Sequence, residues 1–421
     1  MNKIASKAAI IVYLFLLIYN PPIIGMNFIY ILVMVSALYI IVSMILGRKF
    51  VYEYYSVKAV LILSFLILWQ VITAWFSGYG TLDAISDYII ILAGYIVCSI
   101  VLHNYLLSRH ISNKEFFDLL LMASLVQVFF TVLAYLCPDF QKWFIIKMGE
   151  YGYEISRFSA LSQFRWYGMA AQLGFATPVV QTILSLITLY FGFTRSCKYY
   201  IASFFLLLSA IVNARTSVIL FFIGFIICVF SILRKRKAKY LLTSLAAYIW
   251  IAILLLMVFL FFMKKYSYAN FVWLINGLLD FLGFNVDTNG AYEVGNYFLN
   301  LENYRLPSDY KLLIGSGVYL YKMENHFRTD IGYIIDIWKY GIPLIFLIYY
   351  MIIRSLNRIK KINIFNETYF GLMLLVVFMV SNIKGNIISA TPIAALYIVM
   401  LLGFPEYKMN NKIITEMANK I

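Results

Sequence analysis

Polar stretches between apolar runs contain the residues of this chain that could do chemistry. One of the three histidines, His326, lies beside Arg328 and Asp330 in such a stretch. A neutral imidazole next to a guanidinium and a carboxylate can act as a general base towards a hydroxyl group. We therefore interpret His326, Arg328 and Asp330 as candidate catalytic residues. The alternative role of a lone histidine is to orient the loop that holds it.

Three further arginines could bind an anion. Arg215 separates two apolar runs, and a guanidinium near hydrocarbon costs on the order of 2.5–3.5 kcal/mol, so it needs a partner. Arg157 and Arg165 are eight residues apart just before an apolar run, so one helix would present both on one side. Because the guanidinium fork fits phosphate oxygens, we interpret all three as candidate phosphate ligands. The alternatives are pairing with a carboxylate and a solvated charge at the membrane interface.

Two aspartates four residues apart, Asp83 and Asp87, could ligate a hard cation. Capping of the apolar segment that begins at residue 88 is the role we favour. The sequence contains no Walker loop, nucleophile elbow or zinc-ligand pattern. We therefore expect chemistry without a metal or a cofactor.

The elements that position these residues must be membrane helices. Of the 421 residues, 63% are hydrophobic and only 13% are charged, whereas a soluble domain carries about 25% charged residues. This composition excludes a soluble enzyme, a disordered chain and a nucleic-acid-binding module. The continuous apolar runs also exclude the alternating strands of a membrane barrel. The predicted fold is an all-α polytopic membrane protein.

Twelve apolar segments approach the length of about 20 residues that crosses a bilayer. The stretch 199–233 is divided at Asn213–Thr216, because both of its ends are basic and must lie on the same side of the membrane. The predicted spans are 8–24, 27–46, 59–76, 88–107, 115–136, 167–191, 199–213, 217–233, 240–263, 340–356, 367–383 and 386–404.

The net charge of +15 indicates the orientation of these spans. With both termini in the cytoplasm, all of the excess positive charge lies on the inner side and the outer side is neutral, so the charge implies no nucleic-acid partner. Residues 1–263 then form nine spans with an outer loop near 137–166. Residues 264–339 form a large outer segment, in which 271–284 predicts an interfacial helix. Residues 340–421 form three spans and a cytoplasmic tail.

A short amphipathic helix is predicted at the end of the large outer segment. Apolar residues recur at helical spacing from Ile331 to Trp338, while Asp336 and Lys339 take other faces. We expect this helix to lead into the span at 340. Capping by Thr329 or by the aspartate after it would leave helix amides that favour an anion near the candidate histidine.

Three strings on the outer side resemble the O-antigen polymerase (Wzy) family of bacterial envelope proteins and, more distantly, the O-antigen ligases. The first is Arg157–Gly168, which has the Arg-x10-Gly spacing of an outer loop in that family. The second is the turn Ser209–Ser217. The third is the Gly-x-Gly string Leu313–Tyr319, followed by His326 and by the Gly…Gly string Asp330–Gly341. The resemblance in topology covers most of the chain.

The resemblance implies a GT-C-like fold and a metal-independent glycosyl transfer. A growing glycan on undecaprenyl pyrophosphate would be transferred to the non-reducing end of a new lipid-linked repeat unit. The chain-length regulator and the flippase of the same pathway would be partners, in the bacterial inner membrane. The residues that would bind the pyrophosphate or the glycan are Arg215, Arg157, Arg165, Arg305 and Tyr319.

Two other functions remain open from the sequence. A ligase would keep the chemistry and transfer the glycan to the lipid A core. A flippase or other transporter of lipid-linked oligosaccharides would place charged residues deep in its spans and have two similar halves and short outer loops. The long outer segment 264–339 and the lack of visible halves favour the enzyme.

The orientation can be tested with single introduced cysteines. We expect an impermeant thiol reagent to label Asn300→Cys in intact cells and to leave Lys237→Cys unlabelled, because basic segments stay inside. Labelling of position 237 with protection of position 300 would reverse the topology.

Overall fold

The described part of the chain is entirely helical. Within it there is no strand. The computed structural model describes residues 3–22, 27–48, 50–51, 54–77, 83–150, 159, 165–170, 175–214, 216–233, 238–266, 272, 275–276, 300–317, 329–359, 368–387, 389 and 391–404.

Most helices are apolar and are joined by short connections. A π-helical stretch (Ile90–Val97) joins α4 to α5, and a 3-10 turn covers Leu301–Tyr304. The α-helices are α1 (Lys3–Tyr19), α2 (Phe28–Ile45), α3 (Tyr54–Ser77), α4 (Asp83–Ile89), α5 (Cys98–Ser108), α6 (Asn113–Leu136), α7 (Pro138–Glu150), α8 (Ala176–Thr194), α9 (Lys198–Ile211), α10 (Thr216–Leu233), α11 (Ala238–Tyr266), α12 (Lys311–Ile314), α13 (Gly332–Tyr340), α14 (Ile342–Ile359), α15 (Thr368–Ser381) and α16 (Pro392–Leu402).

Each of the twelve predicted spans overlaps at least one of these helices, and the predicted break between α9 and α10 is confirmed. Five shorter apolar helices lie at other predicted spans, and α13 with α14 forms one further broken pair. By length and composition the chain is therefore a multi-pass membrane protein. Among the described residues, six stretches are long and apolar enough to cross a membrane: Phe28–Ile45, Val57–Phe76, Ile85–Ser108, Asn113–Leu136, Ala176–Thr194 and Thr216–Leu233.

One prediction about the segment before α8 is wrong. The span expected from residue 167 begins as a helix only at Ala176. The predicted outer loop near 137–166 contains α7. Residues 165–170 are not helical. The reason is a polar side chain on α6: Gln127 donates to the carbonyl of Tyr167 at 3.0 Å and accepts from the amide of Met169 at 3.2 Å. These bonds occupy backbone groups that a helix would use itself.

The centre of the bundle is α8, which is buried along its whole length. Two of its polar side chains, Ser185 and Gln181, bond to neighbouring helices. The hydroxyl of Ser185 donates to the carbonyl of Ser203 on α9 at 2.7 Å, and the hydroxyl of Ser203 donates to the carbonyl of Ser185 at 2.9 Å. Gln181 donates to the hydroxyl of Tyr19 on α1 at 3.0 Å. Small and hydroxyl-bearing residues of this kind let membrane helices approach closely.

The predicted amphipathic helix exists as α13, but it does not lead straight into α14. The two helices are bent by 120° at Gly341. Gly341 and Gly315 have φ angles of +74° and +77°, which L side chains rarely adopt. A Cβ on Gly315 would lie 2.5 Å from the carbonyl oxygen of Lys339, and a Cβ on Gly341 would overlap the carbonyl oxygen of Leu313. The two backbones therefore cross at a distance that only glycine permits.

Alanine substitutions at this crossing should be much more damaging than at an unobstructed glycine of similar conformation. Gly315→Ala and Gly341→Ala should cost about 2–5 kcal/mol, because backbone strain adds to a backbone clash. Gly47 is the control, because it has a φ of +64° and nothing within 4 Å of the position that a Cβ would take. Gly47→Ala therefore introduces backbone strain without a clash and should cost about 1–2 kcal/mol.

Melting of purified protein in which the exposed Cys137 and Cys197 are replaced by serine, followed by a dye that reacts with the buried thiols of Cys98 and Cys228, measures the difference. Equal melting temperatures for the three variants would show that the crossing does not constrain the fold.

Candidate functional site

Three charged side chains are buried where α13 meets the rest of the bundle. Asp336 and Lys339 of α13 are 0% and 1% exposed, and the side chain of Asp87 on α4 is 16% exposed. We call Asp87, Asp336 and Lys339 the charged cluster. Burying charges is costly unless each has a partner, so their contacts determine how α13 lies.

Lys339 is held by one carboxylate and two aromatic rings. Its Nζ lies 3.5 Å from Oδ2 of Asp87. The same atom is 5.4 Å from the ring centroid of Tyr88 and 5.3 Å from that of Tyr340, within cation–π range. The pair joins α13 to α4.

Asp336 receives neutral donors from two other elements. Its Oδ2 accepts from the hydroxyl of Tyr349 on α14 at 2.7 Å and from Nδ2 of Asn382 at 2.8 Å. Asn382 follows α15, and its Oδ1 accepts from the amide of Ile387 at 3.1 Å. Asp336 therefore fastens α13 to α14 and to the turn after α15.

The last carbonyl groups of α13 are bonded to other segments. The carbonyl of Trp338 accepts from the amide and from the hydroxyl of Ser316, each at 2.8 Å. The carbonyl of Lys339 accepts from the amide of Gly317 and from Nε2 of Gln70 on α3, each at 3.2 Å. The end of the helix is satisfied by the segment before it in the chain and by α3. Its negative dipole end also favours the ammonium of Lys339.

The sequence-based placement of this cluster is wrong. Asp336 and Lys339 were expected on the polar faces of an amphipathic helix, yet both are buried, because α4, α14 and the turn after α15 surround α13 and supply partners. Asp87 lies inside α4 and pairs with Lys339, so it does not cap a helix at residue 88. The side chain of Asp83 lies outside the described residues.

Three polar residues of this site were not identified from the sequence: Gln70, Tyr349 and Asn382. The one signal that could have indicated the site is an aspartate and a lysine three residues apart in a mostly apolar helix.

Most of the residues predicted to do chemistry lie outside the described residues. Two predicted site residues at the large outer segment are described. Asp330 is exposed directly before α13, and Arg305 is exposed, with its carbonyl accepting from Nε1 of Trp338 at 2.8 Å. The hydroxyl of Thr329 accepts from the amide of Ile331 at 3.2 Å. Ile331 is itself the N-cap of α13 and no side chain caps that helix, so the predicted capping by Thr329 or Asp330 is wrong. The residues outside the described part of the chain are Arg157, Arg215, Tyr319, His326 and Arg328.

Arg165 lies beside the turn that leads to Arg215. It is half-buried, outside any helix, and its carbonyl accepts from Nε2 of Gln141 at 2.7 Å. Its neighbour Trp166 packs with Val212 in one small apolar cluster. The expectation that a helix carries Arg165 is therefore wrong, but the structure does bring this segment to the turn between α9 and α10.

The turn after α15 lies between the starts of α8 and α13. A Cβ on Gly332 would be 2.5 Å from the carbonyl oxygens of Asn382 and Gly385, and a Cβ on Gly385 would be 2.5 Å from the ring of Phe175. Lys384 is half-buried in this turn. The turn thus connects the surroundings of the charged cluster to the beginning of α8.

Neither a metal centre nor a known relative identifies the site. Among the described residues, no group of three or more His, Cys, Asp or Glu side chains could hold a metal ion. No family model, no curated protein and no solved structure matches the chain.

Removing the ammonium of the charged cluster should destabilise the protein strongly. Lys339→Met should cost about 3–5 kcal/mol, because it leaves buried carboxylates without their cation. Lys142 provides the control, since its Nζ is 3.6 Å from Oδ1 of Asp139 while its side chain is 76% exposed. Lys142→Met should change the stability by less than about 1 kcal/mol.

The thermal melts of the two variants make the comparison, and adding Asp87→Asn to Lys339→Met should restore part of the loss. A melt of Lys339→Met as high as that of Lys142→Met would show that the pair contributes no stability.

Proposed function

We propose that this protein is a membrane glycosyltransferase that polymerises lipid-linked oligosaccharide repeat units into O-antigen or capsular polysaccharide. One observation carries the proposal beyond the resemblance in sequence. The segment that holds Tyr319, His326 and Arg328 begins after Gly317 and ends at Thr329, and both flanking residues are fixed at α13. The candidate catalytic segment thus starts beside the C-terminal end of α13 and finishes just before the N-terminal end of the same helix.

The reaction needs a base and a stabilised leaving group, and the candidate residues supply both. His326 takes the proton from the acceptor hydroxyl, whose oxygen attacks the anomeric carbon of the donor sugar. The bond from that carbon to the pyrophosphate oxygen breaks, and the electron pair leaves with undecaprenyl pyrophosphate. Arg215, Arg157 and Arg165 stabilise the departing anion. Arg305 and Tyr319 bind the glycan or the pyrophosphate beside them.

The proposed topology places this chemistry on the outer face of the bacterial inner membrane. In this proposal all twelve predicted segments cross the membrane, in a GT-C-like arrangement, and both termini are cytoplasmic. The correspondence between twelve predicted spans and helices supports the arrangement. The lipid-linked oligosaccharide is the substrate, and the chain-length regulator and flippase of the pathway are partners.

A second function, transport of lipid-linked oligosaccharides, is favoured by one observation. The charged cluster is buried beside a helix broken at Gly341. Broken helices with buried charges are typical of secondary transporters. The ligase, by contrast, differs from the polymerase only in its acceptor, and no described contact distinguishes the two.

Deletion of the gene, followed by electrophoresis of the surface polysaccharide, separates the three functions. A polymerase deletion should leave core carrying a single repeat unit. A ligase deletion would give bare core together with lipid-linked polymer, and a flippase deletion would give neither polymer nor attached repeat. The proposal requires the first pattern, and the wild-type gene should restore long chains.

His326→Gln should lose about 10²–10⁴ in rate with purified protein and a lipid-linked repeat unit, because glutamine cannot accept the proton. Substrate binding should persist, since it depends on the arginines and aromatic residues. The exposed His110 has a φ of +53°, which asparagine tolerates, so His110→Asn is the control. Full activity of His326→Gln, together with an activity that does not change between about pH 5 and 7, would show that the histidine only orients its loop.

A further inference from the structure

Four buried oxygen atoms around α13 have no hydrogen-bond partner among the described residues. They are Oδ1 of Asp336, Oε1 of Gln70 and the hydroxyl oxygens of Tyr88 and Tyr340. The first two can only accept, whereas the hydroxyls of Tyr88 and Tyr340 interact with each other without reaching the geometry of a normal hydrogen bond. All four residues are at most 1% exposed, so bulk water does not reach them. Buried oxygens of this kind are normally satisfied by an ordered water molecule or an ion.

The charges of the cluster do not balance. Among the described residues it contains two carboxylates and one ammonium, and the ammonium of Lys339 is directed to Asp87. Asp336 receives only the neutral donors Tyr349 and Asn382. Lys339 also interacts electrostatically with Asp336, but one ammonium cannot balance two carboxylates, and an uncompensated buried charge is costly. One further positive charge would balance the site.

The position of the cluster favours a cation. The carboxylate of Asp336 belongs to a nine-residue helix that stops at Gly341 inside the bundle. The C-terminal end of a helix carries a partial negative charge, which adds to the negative charge of the cluster. With one uncompensated negative charge and otherwise neutral oxygens, the site suits a monovalent ion better than a divalent one.

We propose that the charged cluster binds one Na⁺-like monovalent metal cation at Oδ1 of Asp336. The oxygens of Gln70, Tyr88 and Tyr340 are the further ligands available to it. The ion joins α3, α4 and α13 at the point where the large outer segment enters the bundle. Its role is to hold α13 in place, and this does not depend on whether the protein transfers or transports a glycan.

Binding of radioactive ²²Na⁺ to the purified full-length protein tests the proposal. We expect saturable binding of one ion per chain, lost in Asp336→Asn, which keeps an oxygen for Tyr349 and Asn382 but removes the charge. Asp309 is exposed and has a φ of +58°, which suits asparagine, so Asp309→Asn removes the same charge elsewhere and should bind normally.

Thermal melts at constant ionic strength provide a second readout. Saturating NaCl should raise the melting temperature by about 2–4 °C over choline chloride in the wild type and in Asp309→Asn. The same change of salt should leave Asp336→Asn unaffected. If Asp336→Asn does not fold, Gln70→Leu replaces it and should weaken ²²Na⁺ binding about tenfold, through loss of one oxygen ligand.

Two outcomes would overturn the site. One is the absence of saturable ²²Na⁺ binding to the wild type, which would leave a water molecule as the occupant. The other is a melting temperature that follows pH and ignores the identity of the cation, which would mean that a proton neutralises Asp336.

Discussion

The burial of α13 depends on the pairing of its charges with distant parts of the chain. A helix that carries an aspartate and a lysine can lie inside an apolar bundle only if both find partners there. Asp87 lies against Lys339, while Tyr349 and Asn382 bond to Asp336. These contacts, with the glycine crossing at Gly341, hold α13 within the bundle. Gly317 and Thr329, which flank the candidate catalytic segment, are bonded at this helix.

The rest of the bundle is held by a different kind of contact. Around α8 the polar groups are hydroxyls and amides, such as Ser185 and Gln181, which bond across helix interfaces without any charge. Such contacts are individually weak in membranes, about 0.6 kcal/mol on average. They add to close packing along the whole helix. The protein thus combines a neutral centre at α8 with a charged end at α13.

Hydrophobicity predicted the helices well, since span length is a local property of the sequence. The basic ends of the stretch 199–233 predicted its division at Asn213–Thr216, and the helix is interrupted there. Hydrophobicity failed where a distant side chain decides the conformation. Gln127 keeps the residues around Tyr167 out of a helix, and no local pattern reveals that bond. Likewise, a helical pattern shows that Asp336 and the apolar residues lie on different faces, but not that every face is covered.

The contacts of α13 also imply an order of assembly during synthesis. Asn382 follows Asp336 by 46 residues, and Asp87 precedes Lys339 by 252 residues. When α13 leaves the ribosome, Asp87 is already in the membrane, whereas Asn382 has not yet been made. Lys339 can therefore pair with Asp87 early. Asp336 can bond to Asn382 only after α15 has been synthesised. A chain that stops before that helix therefore keeps Tyr349 as a donor to Asp336 but lacks Asn382.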